Sequence, residues 1–307
     1  MLIMTTSRAL LLALRPKQWT KNLLLFAGLI FSGSLLEAGR ILDAVLGFAI
    51  FCGLSGAVYL FNDLLDIEGD RRHPLKKMRP IASGQLSMGT AWTALGVVSL
   101  LSLLGAWFLG GRFFVAAAGY LALMLAYSAY IKHVAIADLF VVASGFVLRA
   151  VAGVLAIEKP GETLAITPWF LGCLFFGALL IVLGKRRHEL SSLAQGAGHH
   201  RRVLNDYSLP LIDQLICISA SACVVSYSLY AVIGPTASKP NGYLMFPSII
   251  PVLFGLFRYL FLVYQRNEGG APENLLLRDK PILLTVLIWL MIVIAVYAIP
   301  TGPVGSP

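Results

Sequence analysis

Residues 41–71 read ILDAVLGFAIFCGLSGAVYLFNDLLDIEGDR, an apolar run that gives way abruptly to acids. Between Ile41 and Asn62 the only charge is Asp43. A helix of roughly 20 apolar residues covers the ~30 Å hydrocarbon core of a bilayer, so the run is expected to cross a membrane and deliver the acids to one face. The whole chain has the same character: of 307 residues, 58% are hydrophobic and 13% charged, with mean hydropathy +0.81. That balance excludes a water-soluble fold and intrinsic disorder. Cys52, Cys173, Cys217 and Cys223 all sit in apolar stretches without metal-ligand spacing, which excludes a disulfide scaffold and reads as small buried hydrophobes.

Working outward gives nine candidate spans, at about 22–36, 41–62, 88–109, 113–131, 136–157, 167–184, 210–233, 246–265 and 281–299. The first is short and is expected to extend back toward Pro16, a residue suited to the first turn of a helix. The run from Ala9 to Leu14 is too short for a signal peptide and lacks a small-residue cleavage site, so the N-terminus is expected to remain in the mature protein. The fold class expected is an all-α integral membrane protein with nine transmembrane helices in one domain, 1–307. The longest loops, 63–87 and 185–209, follow the second and sixth spans. That spacing suggests two four-helix halves plus a ninth helix.

Lysine and arginine test the segmentation, because short cytoplasmic loops collect them. Of the 24, eighteen fall on the side of the N-terminus and loops 63–87, 132–135, 185–209 and 266–280. Arg40, Arg112, Lys159 and Lys239 fall on the other. The first side is therefore expected to be cytoplasmic, and the net charge of +9 reflects topology and an anionic ligand, with no nucleic acid. Arg149 and Arg258 lie inside spans, where a charge is a candidate functional residue. Trp19, Tyr127 and Tyr130 fall at interfaces, where an aromatic belt is the ordinary explanation.

The acids at the end of the second span carry the chemistry. If the helix continues, Asn62, Asp66 and Asp70 follow in four-residue steps with Asp63 three before Asp66, so their oxygens share a face. One or two carboxylates plus water and substrate phosphates suit Mg2+. A solvated helix end is the plain alternative, but acids at a helix C-terminus oppose its dipole. His73, Lys76, Lys77 and Arg79 follow, within reach of a phosphate.

Asn62-Asp63-x-x-Asp66-x-x-x-Asp70-Arg71 at the end of a second span resembles the first aspartate motif of the UbiA-type polyprenyl transferases. The resemblance implies a helical bundle around a cavity open to lipid, with Mg2+ holding a diphosphate at the cytoplasmic end, in a bacterial-type plasma membrane. Members that prenylate aromatic rings carry a second acidic motif after the sixth span. Here that stretch is Gly184-Lys185-Arg186-Arg187-His188-Glu189-Leu190, where cations replace the acids. Together with Arg15-Pro16-Lys17-Gln18-Trp19-Thr20-Lys21-Asn22 and Tyr127-Ser128-Ala129-Tyr130-Ile131-Lys132-His133, it resembles the branch that transfers 5-phosphoribose from phosphoribosyl diphosphate to a polyprenyl phosphate.

The resemblance implies roles residue by residue. Asp63 and Asp66 would hold Mg2+, while Asn62 and Asp70 would meet metal water or ribose hydroxyls. Arg71 would meet a phosphate, and Lys17, Asn22, Tyr127 and Lys132 would close the donor pocket. Lys185, Arg186 and Arg187 would contact the donor 5-phosphate or the lipid phosphate, with Glu189 orienting one of them. Arg149 would line the cavity or form an ion pair between helices. The competing readings are prenylation of an aromatic acceptor, which expects the missing acidic motif, and a transporter, which expects charges at the bilayer midplane on broken helices. Homo-oligomerisation is left open.

Overall fold

The computed structural model describes residues 5–164, 166–194, 202–235, 241–271, 275 and 278–298. Among the described residues the secondary structure is helical, without strands. The helices are α1 (Thr6–Ala13), α2 (Ala27–Ser32), α3 (Ala38–Leu65), α4 (Ile67–Arg72), α5 (Met88–Leu109), α6 (Gly111–Ala129), α7 (Ala137–Ile157), α8 (Pro168–Ala194), α9 (Leu209–Ile233), α10 (Ile249–Gln265) and α11 (Lys280–Ala298). A 3-10 helix, Pro16–Phe26, precedes α2.

Among the described residues, seven helical stretches are long and apolar enough to cross a membrane: α3, α5, α6, α7, α8 as far as Ser192, α9, and Gly242–Gln265 ending in α10. The expected count of nine is not confirmed. The first candidate, 22–36, is split between the 3-10 helix and the six residues of α2, which stops at Gly33 with φ 75°. The last, Lys280–Val296, is apolar but shorter. Expected boundaries at 88–109 and 210–233 hold to within a residue, whereas α3 is longer at both ends and α8 runs ten residues past the expected limit. Residues 185–194 are thus helix, not loop.

Local chemistry explains several ends. The Ser87 hydroxyl accepts the amide of Thr90 at 3.1 Å and opens α5, and Ser208 accepts that of Leu211 at 3.3 Å and opens α9, whose first residues include a proline. Asp279 accepts the amide of Ile282 at 3.0 Å at the start of α11. Large apolar side chains such as Trp107 and Phe108 point outward from α5, a surface that needs lipid rather than water.

The chain divides into two compact units, Met1–Leu164 and Ala165–Pro307. The break follows α7, the fifth expected span, so five expected spans fall in the first unit and four in the second. In the first unit Phe51, Phe113 and Tyr120 form the aromatic centre, with Phe51 5.9 Å and 5.1 Å from the other two rings. The 3-10 helix and α2 lie on α7 backbone to backbone: a Cβ on Gly153 would stand 2.0 Å from the Leu25 carbonyl oxygen, and one on Gly28 2.7 Å from that of Gly153. Small residues give such contacts in membrane proteins, where close backbone approach replaces the hydrophobic drive.

Arg40 bonds Glu37 at 2.9 Å and Glu162 at 3.1 Å, Lys159 bonds Glu37 at 3.3 Å, and Arg112 bonds Glu158 at 2.6 Å. In the second unit Trp289 donates to the Tyr227 hydroxyl at 2.7 Å, which pairs with Ser248 at 2.6 Å. Of the cysteines, Cys217 is exposed, contrary to the expectation of four buried thiols. Its helix α9 presents one face outward there, next to exposed Ile218.

Candidate active site

At the end of α3 the helix breaks at Asp66 (φ −95°, ψ 8°) before the single turn of α4. The break divides the acids that a continuous helix would keep on one face. Asp63 and Asp70, 2% and 3% exposed, converge on one cation: Nη1 of Arg79 donates to Asp63 at 3.0 Å and to Asp70 at 2.5 Å. Nη2 of Arg15 donates to the same Asp63 oxygen at 2.5 Å, and its guanidinium lies 4.6 Å from the Tyr59 ring centre. Asp66 turns to a different partner, Nζ of Lys132, at 2.7 Å, and Asn62 Oδ1 is 3.5 Å from that same nitrogen.

Three carboxylates are therefore matched by three cations from three distant parts of the chain. Charge-assisted bonds of this kind offset the cost of burying a carboxylate. Lys132 is itself buried, in a short 3-10 turn between α6 and α7. Tyr127 is half-buried near the end of α6, Lys17 is exposed, and Arg71 is exposed with Nε donating to the Ala82 carbonyl at 3.2 Å. Arg79, expected within reach of a phosphate, is engaged by two of the acids, and Arg15 stands in a stretch quoted above without a role assigned to it. Asp63 and Asp66, paired as metal ligands by the resemblance, do not share a cation; Asp63 shares its cation with Asp70.

Asn22 and Arg149 lie elsewhere in the first unit. Arg149 Nε donates to Asn22 Oδ1 at 2.8 Å, so these two expected substrate contacts bind each other, and Arg149 forms no ion pair among the described residues. Arg258, the other arginine inside a span, is paired with Asp279 at 2.9 Å.

In the second unit the basic segment forms the last turns of α8. Arg186 is 4% exposed and donates to Glu189 at 2.6 Å. Arg187 is engaged by Asp213 of α9 at 2.8 Å and lies over the Tyr264 ring at 4.2 Å. Lys185 is exposed. Arg201 lies outside the described residues.

The donor set suits magnesium: hard oxygens from carboxylates that already meet around a cation, few enough to leave positions for water and phosphate. Among the described residues no three His, Cys, Asp or Glu side chains stand close enough to hold a metal by themselves. Substrate oxygens would have to complete the shell.

An all-helical, multi-pass membrane protein with a buried acid and cation cluster at the end of a long span is the class that fold and site define. Comparison with known proteins gives the family. The UbiA prenyltransferase family profile matches residues 23–278. The chain is 35% identical over 290 residues to the decaprenyl-phosphate phosphoribosyltransferase of Mycobacterium tuberculosis, covering 93% of each protein. It is 34% identical over 300 residues to the protein of that name from Corynebacterium glutamicum, covering 94% of this chain and 86% of the relative. Among solved structures, a UbiA homolog from Archaeoglobus fulgidus bound to GPP and Mg2+ superposes with a TM-score of 0.70 at 21% identity, over 95% of this chain and all of the other. This chain belongs to the UbiA prenyltransferase family and is a membrane transferase.

Proposed function

We propose that the protein transfers 5-phosphoribose from 5-phosphoribosyl 1-diphosphate to a polyprenyl phosphate, releasing diphosphate. The names of the relatives support this reading, at about a third identity over more than nine-tenths of the chain. The observation that carries it is the balance of charges. Three carboxylates in the first unit are met by Arg15, Arg79 and Lys132, and α8 carries Lys185, Arg186 and Arg187 where a second acidic motif would stand. Such residues suit two phosphorylated substrates.

The reaction breaks the bond between ribose C1 and the diphosphate oxygen and forms one between C1 and a phosphate oxygen of the lipid. The nucleophile is already an anion, so no strong general base is needed. The protein must neutralise leaving-group charge and bring two repelling anions together. Asp63, with Asp66 or Asp70, would hold Mg2+, which when bound neutralises diphosphate charge. Arg79, Arg15 and Lys132 would exchange a carboxylate for a phosphate oxygen, Asn62 would meet a ribose hydroxyl, and Arg71, Tyr127 and Lys17 would close the donor pocket. Lys185 and Arg186 would receive a phosphate in the second unit. The acid cluster is assigned to the cytoplasmic face, with the N-terminus on the same side, because the basic loops collect there.

Purified protein in detergent, given labelled phosphoribosyl diphosphate, Mg2+ and a polyprenyl phosphate, should produce labelled lipid. Turnover only with a prenyl diphosphate and an aromatic acid would reject the proposal in favour of aromatic prenylation.

A further inference from the structure

Arg149 stands midway along α7, 7% exposed, and every acceptor it is given is neutral. Nε donates to Asn22 Oδ1 at 2.8 Å, Nη1 to the Gly145 carbonyl at 2.8 Å and Nη2 to the Tyr120 hydroxyl at 2.6 Å. Its guanidinium also lies 4.7 Å from the Tyr120 ring centre. Asn22 is fully buried, accepts from Ser55 Oγ at 3.2 Å and donates to Cys52 Sγ at 3.4 Å. A full charge inside a membrane-spanning helix is costly, and a merely apolar junction would serve packing better. The charge needs a purpose.

Asn22 belongs to the 3-10 helix Pro16–Phe26, eleven residues long, whereas 3-10 runs beyond three or four residues are uncommon. Eleven residues cover about 22 Å as a 3-10 helix and about 16 Å as an α-helix. Over the six steps from Pro16 to Asn22 the two helix types also differ by about 120° of rotation. The stretched form is held at both ends. Arg15, in the left-handed region at φ 53°, ψ 63°, is fixed on Asp63, while Asn22 is fixed on Arg149 and Leu25 lies against Gly153. A relaxed α-helix could not keep Arg15 and Asn22 on both partners.

We propose that Arg149 is a positioning residue: through Asn22 it holds Pro16–Phe26 in the stretched 3-10 form and thereby keeps Arg15 on the acid cluster. The consequence for donor affinity rests on the proposed activity, whereas the consequence for the helix does not. Arg149 touches no reacting atom in this account.

Hydrogen exchange of the full-length protein in nanodiscs tests it with Arg149→Met, Arg149→Lys, Asn22→Ala and the Arg149→Met/Asn22→Ala pair. Amides of residues 17–26 should exchange at least about 10-fold faster in Arg149→Met and in Asn22→Ala, as loss of a bond to a charged group requires. The double variant should be no faster than either single one, because both cut the same link. Arg149→Lys should fall between, and α3, α5 and α6 should keep their protection. In the transfer assay, KM for phosphoribosyl diphosphate should rise about 10-fold while kcat and the KM for lipid stay within about 2-fold. Should Arg149→Met not fold, Asn22→Ala carries the test alone. Unchanged exchange over 17–26 in Asn22→Ala would overturn the proposal, as would exchange rising equally across α3, α6 and α7. Faster local exchange with an unchanged donor KM would support the positioning and count against the donor assignment.

Discussion

Two arginines meet on one oxygen of Asp63, which makes that carboxylate the most heavily engaged of the acids. Asp63→Asn leaves a group of the same shape without the charge, and the proposed role expects kcat/KM to fall at least about 100-fold with stability only modestly changed. Near-normal turnover would remove Asp63 from the mechanism. The basic turn of α8 separates into different tasks. Lys185→Ala should raise KM for one phosphate substrate, whereas Arg187→Ala, cutting the tie to Asp213 and Tyr264, should lower thermal stability by on the order of 1 kcal/mol with KM unchanged. Steady-state kinetics beside thermal unfolding distinguishes the two. The acids were legible in sequence because their spacing at a helix end is local. Their partners were not: Arg15 is 48 residues from Asp63 and Lys132 66 residues from Asp66, and in sequence each looks like any cation of a positive-inside loop.

Hydropathy located the helices because the apolar length needed to cross a bilayer is itself a sequence property, and α5 and α9 fall where that length puts them. It failed where the backbone departs from a regular α-helix. Nothing in the run from Pro16 to Phe26 announces a 3-10 helix, which here depends on tertiary contacts at Asn22 and Leu25. Gly153→Ala tests that contact. A methyl group 2.0 Å from the Leu25 carbonyl oxygen forces the helices apart, so the variant should lose about 1–3 kcal/mol of stability, read by thermal unfolding. The start of α11 offers a pH test. The bond from Arg258 holds the Asp279 carboxyl below its usual range against the opposing effect of burial, helped by the Ile282 amide. A pKa lowered by folding contributes stability above the unfolded value of about 3.9 and loses it as pH falls through the folded value. The stability advantage of the wild type over Asp279→Asn should therefore be present at neutral pH and shrink below about pH 4.

Across the whole molecule, cations on both expected faces are paired with acids. Arg40, Arg112 and Lys159, on the face poor in lysine and arginine, are each paired with glutamates near the ends of α3 and α7. Lys239, the fourth, lies outside the described residues. On the face rich in cations, Arg15, Arg79 and Lys132 meet the acids of the proposed site, while Arg72, Arg186 and Arg187 meet Glu68, Glu189 and Asp213. Maleimide labelling of single cysteines at Gly84 and at Gly161 in intact cells should find the first protected and the second reactive. The reverse pattern would invert the orientation. The class of fold was readable from composition alone. The chemistry needed the bends of α3 and α4 that bring Asp63 and Asp70 to one cation and send Asp66 to another. Central is the proposal that the carboxylate cluster binds a soluble sugar diphosphate with a divalent ion. Equilibrium binding of phosphoribosyl diphosphate to the protein in nanodiscs tests it most directly: saturable binding with Mg2+, lost on adding EDTA and lost in Asp63→Asn, is the expected result, and binding indifferent to both would contradict it.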